Sequence, residues 1–203
     1  MVSASTARSR PAEATHTALR PARLNARISA YLIDTAVLLG FILVFFVIAG
    51  LVLLLNSDFG NEDAPDSAYY AFMSVLLGGT IIGWTLFNVA LTAWRGQTVG
   101  KYVIGIRTLS ADDAALTAGR ACLRWFVLNP MLFHPLLLPI WATFALIATF
   151  LTLSQVVLVL TLAVLFLWIL APVVALVTVL IDPARRALHD RLAGTIVVQG
   201  DRR

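Results

Sequence analysis

The sequence predicts an all-α membrane protein: a bundle of four transmembrane helices with a small cytoplasmic cap of one short helix and a β-ribbon. Three observations predict it. Hydrophobic residues make up 60% of the 203-residue chain and charged ones only 13%, against roughly 25% charged in an ordinary soluble domain. Apolar runs long enough to cross a bilayer recur along the chain. The basic residues, 15 in all, fall in three groups: five arginines before residue 28, Arg95 to Arg124, and the tail after Asp182. The loop 56–68 has none and carries Asp58, Glu62, Asp63 and Asp66 instead. Short loops rich in Lys and Arg stay inside, so this acidic loop is expected outside and both termini in the cytoplasm.

The elements follow in order. Residues 1–22, rich in Ala, Ser, Thr, Arg and Pro, are expected to be a disordered cytoplasmic arm. The polar lead is too long, and the apolar run after it about twice too long, for a signal peptide. The first span is expected at about 28–55 and the second at about 69–94, joined by a polar loop containing Gly60 and Pro65. Within the cytoplasmic stretch 95–124, Tyr102 to Leu109 is β-branched enough to read as a strand, ended by Ser110, Ala111, Asp112 and Asp113.

From Trp125 to Ile181 no residue carries a formal charge, and His134 is the one histidine. That length suits two spans, at about 135–152 and 156–181, turning outside at Thr152 to Gln155. Residues 120–134 would form an interfacial or re-entrant helix broken at Asn129-Pro130 and Pro135. One longer kinked helix over 121–151 is the alternative. The tail reads as a short helix with Asp182 as N-cap, Pro183 in its first turn and Gly194 as its stop. Thr195 to Val198 reads as a strand that pairs with 102–109 to make the ribbon.

Asp34 is the main candidate site residue. It lies about 9 Å into an otherwise uncharged span, where a carboxylate costs about 2.5–3.5 kcal/mol on insertion scales. Arg27 is two helical turns earlier on the same face, and Asn88 lies at a similar depth on the second span, in a stripe with Thr85 and Thr92. Two readings follow. Asp34 binds a proton or small cation with Arg27 tuning its charge, or it locks helix packing by pairing with Arg27, Asn88 or another arginine. Gly79 and Gly83 form a small-residue face expected to pack against another helix of the same chain.

Other patterns carry less chemistry. Gly96 to Lys101 looks like a phosphate loop but is one residue short, lacks the Ser or Thr, and follows a membrane helix where a strand is required. His189 beside Asp190 has no metal-ligand companions at the right spacing. Arg186 with Asp190, and Asp182 with Arg186, read as surface ion pairs. Arg185, Arg186 and Arg191 beside the inner leaflet would attract anionic lipid at about 1 kcal/mol each. Cys122 reads as a small apolar residue near a helix start. No nucleophile–base set and no basic folded domain stands in the chain, so neither an enzyme, a cofactor or metal site, nor a nucleic-acid partner is expected.

Three ordered stretches together resemble the RDD family of bacterial multi-pass membrane proteins, named for one arginine and two aspartates. Arg27 to Asp34 is similar to the family's opening, Gly96 to Arg107 to its central loop, and Asp182 to Thr195 to its closing motif. The resemblance covers about 24–198. It implies a membrane domain in a bacterial plasma membrane, with Asp182 as the second named aspartate and Asp182, Arg185, Arg186, His189, Asp190 and Arg191 as a cytoplasmic motif. The extra span within 125–181 gets no support from it. Some relatives are linked to cation/proton antiport and others look like accessory or assembly factors. The implied functions are therefore cation/proton exchange through Asp34, or a scaffold whose charges lock helices and dock lipid or a partner protein. Four short spans with one buried carboxylate are thin for a monomeric transporter, which points to a homo-oligomer or the scaffold.

Overall fold

A computed structural model describes residues 20–112 and 116–200. Among them, four helical stretches are long and apolar enough to cross a membrane. Helix α1 (Leu24–Asn56) is the first. The second runs over Asp66–Arg95 as α2 (Asp66–Met73), one π-helical turn at Ser74–Gly79, and α3 (Thr80–Arg95). The third is α6 (Leu138–Thr152) with the 3₁₀ turn before it, and the fourth is α7 (Gln155–Ile181). Side chains such as Leu43, Leu55, Phe166 and Ile169 stand exposed around the bundle, as lipid-facing residues should. Exposed Trp94 and Tyr102 mark one end and Tyr69 and Tyr70 the other, the usual positions of interfacial aromatics.

The cap sits at the end of the bundle where α1 begins and α3 and α7 finish. It comprises α4 (Val99–Ile104), β1 (Ile106–Ser110), α5 (Ala118–Phe126), α8 (Leu188–Leu192) and β2 (Thr195–Gln199). β1 and β2 pair antiparallel, with Thr108 opposite Val197. The expected ribbon is therefore present, but its first strand starts later than predicted. Tyr102 to Ile104 are helical in spite of their β-branched character, because Thr98 caps α4 through Lys101 N and Gly105, at φ +75°, ends it.

Two further expectations change. Residues 20–22 are ordered, not part of a free arm. Ala22 N donates to Val197 O, Gln199 N donates to Arg20 O, and Pro21 bridges Val198, so this segment lies along the free edge of β2. Residues 1–19 and Asp113 lie outside the described residues. The tail helix begins at Leu188, not at Asp182. Asp182 instead closes α7, and its carboxylate turns the chain by accepting from Arg186 N at 2.8 Å.

Between α5 and α6 the chain is helical only to Phe126 and resumes at Pro135. The single kinked helix over 121–151 is thus replaced by a non-helical segment that dips into the bundle. Trp84 and Trp168, each about 16–20 Å below the cap end of its helix, donate their indole N–H groups to Met131 O (3.3 Å) and His134 O (3.0 Å). Asn129 supplies both halves of its amide, to Arg124 O and from Met131 N. Irregular backbone at membrane depth needs such internal partners. Leu38, Trp84, Trp125, Met131, Leu137 and Trp168 form the core around it.

Gly79 and Gly83 do face inward. A side chain added at either would run into the ring of Phe45 on α1, at 2.5 and 3.1 Å. Their small size admits an aromatic ring between the helices.

Candidate functional site

Arg27, Asp34 and Asp190 gather where α1 meets the cap, in two bonded groups beside one cavity. In the first, α1 presents Ala30 and Asp34 one turn apart, and α4 lies across them. Thr98 Oγ1 donates to Asp34 Oδ2 at 2.6 Å, and Gly100 N donates to Asp34 Oδ1 at 2.7 Å. The carboxylate therefore sits on the opening turn of α4, where peptide N–H groups have no partner of their own. Gly100 is what lets the two backbones meet: an added Cβ would overlap the Ala30 carbonyl oxygen and lie 2.9 Å from Asp34 Cγ. Asp34 is 4% exposed.

The second group centres on Asp190, which is wholly buried. Arg27 Nη1 donates to Oδ2 at 2.9 Å and Arg124 Nε to Oδ1 at 2.7 Å. Ala187 N and Thr195 Oγ1 add longer bonds, at 3.3 and 3.4 Å. One carboxylate thus ties together α1, α5, α8 and the start of β2. Burial works against its charge, yet Arg124 and Arg27 together hold it below the usual carboxylate range. His189 is itself buried, with Nε2 3.7 Å from Asp190 Oδ1. Its burial, opposed by Asp190 and reinforced by Arg124, pushes its pKa down to about 3, so the ring is neutral at ordinary pH.

Several predicted partnerships are corrected by this geometry. Arg27 reaches Asp190, not Asp34. Asn88 is buried but donates to Trp84 O on its own helix, at 2.9 Å. The Arg186–Asp190 surface pair is absent, since Asp190 is spent on Arg27 and Arg124. Asp182 and Arg186 do pair, at 3.0 Å, and that bond holds the Asp182 carboxyl below its ordinary range. Arg185 and Arg191 are exposed on the cap's outer face.

Arg124, Thr98, Gly100 and Lys101 belong to the site without having been singled out for it. Lys101 Nζ donates to Thr108 Oγ1 at 3.1 Å. The Thr98–Lys101 spacing was a readable helix-cap signal. Arg124 had only its place on an amphipathic helix to mark it.

Deeper in the bundle, His134 Nε2 lies 2.9 Å from Thr35 Oγ1, and its ring stacks on Tyr31 at 5.1 Å. Thr35 donates its proton to Tyr31 O, and His134 Nδ1 accepts from Leu136 N. The two bonds require a neutral ring with its proton on Nε2. His134 thus pins the dipping segment to α1.

The cavity beside the two charged groups has a volume of about 420 Å³ and is walled by α1, α7 and the cap. Among the described residues, no group of three or more His, Cys, Asp and Glu gathers as a metal site would need. Comparison with curated proteins and with solved structures finds no match. The profile of the RDD family matches residues 21–194, which takes in all four spans together with α4, β1, α5 and α8 and stops just before β2. The match covers most of the chain, including the four spans and the stretches Arg27 to Asp34 and Gly96 to Arg107: the chain belongs to the RDD family.

Proposed function

We propose that this RDD protein is a non-transporting scaffold of the bacterial plasma membrane, with its cap in the cytoplasm. Its charged motif locks the cap onto the bundle, and the cap's outer face, with Arg185 and Arg191, docks anionic lipid or a partner protein. The observation that carries this reading is how the motif carboxylates are used. Asp34 is engaged by Thr98 and Gly100, Asp190 by Arg27 and Arg124, and Asp182 by Arg186. The bonds of Asp34 and Asp190 join the cap to α1 and cap elements to one another, and that of Asp182 closes the turn leading from α7 to α8. Hydrogen bonds to a charged partner contribute about 1.5–3 kcal/mol each, and an ion carrier would have to give up two of them at Asp34 on every cycle. The cap's place in the cytoplasm is supported by its arginines and by the acidic loop 56–68 at the other end of the first hairpin.

Asp34→Asn tests lock against carrier. The lock predicts a thermal midpoint in detergent about 5 °C below wild type, and no ion-driven pH change in wild-type proteoliposomes when Na⁺, K⁺ or Li⁺ is stepped across the membrane. Wild-type flux that a stably folded Asp34→Asn protein loses would replace the scaffold with a transporter. Orientation is tested in a Cys122→Ser background, where Asp63→Cys is expected to react with an impermeant thiol reagent added to whole cells and Asp112→Cys is not. The reverse pattern would put the cap outside.

A further inference from the structure

The cavity under the cap holds a chemistry that the lock leaves unused. Arg27 spends Nη1 on Asp190, but its Nε and Nη2 are buried and have no partner. His189, 6% exposed, also lines the cavity, and its Nδ1 is likewise unpartnered. Buried polar atoms are nearly always bonded, and Arg27 and His189, which both line the cavity, hold atoms that are not. The charged residues around the cavity say which kind of ligand would suit it. Arg27, Lys101 and Arg124 all line the cavity, while the nearby carboxylates Asp34 and Asp190 are already engaged. Burial, together with Arg124 and Arg27, pushes the Lys101 ammonium well below the ordinary lysine range, against the pull of Asp190 and Asp34. Three basic groups stand with two acidic ones, and a further negative charge in the cavity would favour the charged form of Lys101.

The rest of the wall is mainly apolar. Ala175, Leu176 and Val179 of α7 line it together with Ile28 of α1. Ile28 and Leu176 are also 48% and 46% exposed on the bundle's outer surface, among the lipid-facing side chains. A free inorganic ion would satisfy the basic end and leave the apolar walls without a partner. An anionic amphiphile satisfies both, and the membrane supplies one.

We infer that the cavity takes the phosphate of a single anionic phospholipid, held by Arg27, Lys101 and His189, with its chains leaving between α1 and α7 past Ile28 and Leu176. The inference rests on the proposed orientation only for which leaflet supplies the lipid. It goes beyond attraction to the cap's outer arginines, because it names an internal site. A lipid seated there would neutralise the cluster and bridge α7 to α1.

Native mass spectrometry of the purified full chain, exchanged against palmitoyl-oleoyl phosphatidylglycerol or the matching phosphatidylcholine, tests it. One phosphatidylglycerol per chain is expected to stay bound under conditions that strip phosphatidylcholine. Lys101→Met is expected to weaken that retention about tenfold, the worth of one charge-assisted contact. Ala175→Phe, which fills the cavity and leaves every charge in place, should abolish it, and Arg191→Gln on the outer face should leave it unchanged. Equal retention of the two lipids by wild type overturns the inference without any variant. So does an Arg191→Gln loss as large as that of Lys101→Met, which would mean surface attraction alone. Displacement of the lipid by millimolar inorganic phosphate would reassign the basic end to a soluble anion. Ion flux in proteoliposomes reads out the scaffold separately: flux with selective lipid retention sinks the scaffold and keeps the site, and silence with no selectivity does the opposite.

Discussion

Asp190→Ala is expected to unseat the cap. The change removes the one carboxylate that both Arg27 and Arg124 use, and leaves two guanidinium groups without their acceptor inside the protein. Removing one partner from a buried ion pair costs about 3–5 kcal/mol, because the charge left behind has neither water nor counter-charge. For a chain of this size that corresponds to a thermal midpoint lower by about 10 °C or more. The four spans do not depend on this bond for their own backbone hydrogen bonds, so the helical signal in circular dichroism should be retained. Resistance of the 182–199 region to protease should be lost. A variant within a degree or two of wild type, with the cap still protected, would show that the ionic centre does not seat it.

Gly100→Ala should be nearly as damaging, and its sign makes it informative. Gly100 is helical, and alanine normally stabilises a helix by about 1 kcal/mol relative to glycine. Here the added methyl would run into the Ala30 carbonyl and crowd Asp34. α4 would have to lift from α1, lengthening both bonds to the Asp34 carboxylate. Overpacking costs about 1–3 kcal/mol, and the loss of those bonds adds to it. Gly119→Ala in α5, where nothing stands within 4 Å of the new methyl, is the matched control and is expected to hold or slightly raise the midpoint. A Gly100→Ala protein as stable as the Gly119→Ala protein would mean that the contact between α1 and α4 is not tight.

Much of this architecture was legible in the chain, and the reason differs by feature. The spans and the turn at Thr152 to Gln155 follow from apolar run length, which a bilayer enforces directly. The ribbon was legible because two isolated strands need a partner. The strand boundary was not, because the Thr98 cap and the contact with α1 override the β preference of Tyr102 to Ile104. Asp34 stood out because a lone carboxylate in an apolar run is costly, but nothing local named Thr98 and Gly100 as its partners. Asp190 misled more thoroughly. Its i, i+4 relation to Arg186 satisfied a surface rule, whereas its true partners lie 163 and 66 residues away. Short-range spacing identifies neighbours on one helix and is blind to a carboxylate that four elements share.

The segment Arg20 to Ala22 lies along β2, and β2 also pairs with β1. The middle strand of this arrangement is therefore the last of the three to leave the ribosome. Until it emerges, the edges of both earlier segments are open, and before Asp190 is made Arg27 in the first turn of α1 lacks the carboxylate it pairs with. The spans can be threaded into the bilayer one by one, but the cap closes in a single late event. Any nascent chain that stops short of about residue 195 has its spans complete while β1 and residues 20–22 still lack the strand that both of them pair with.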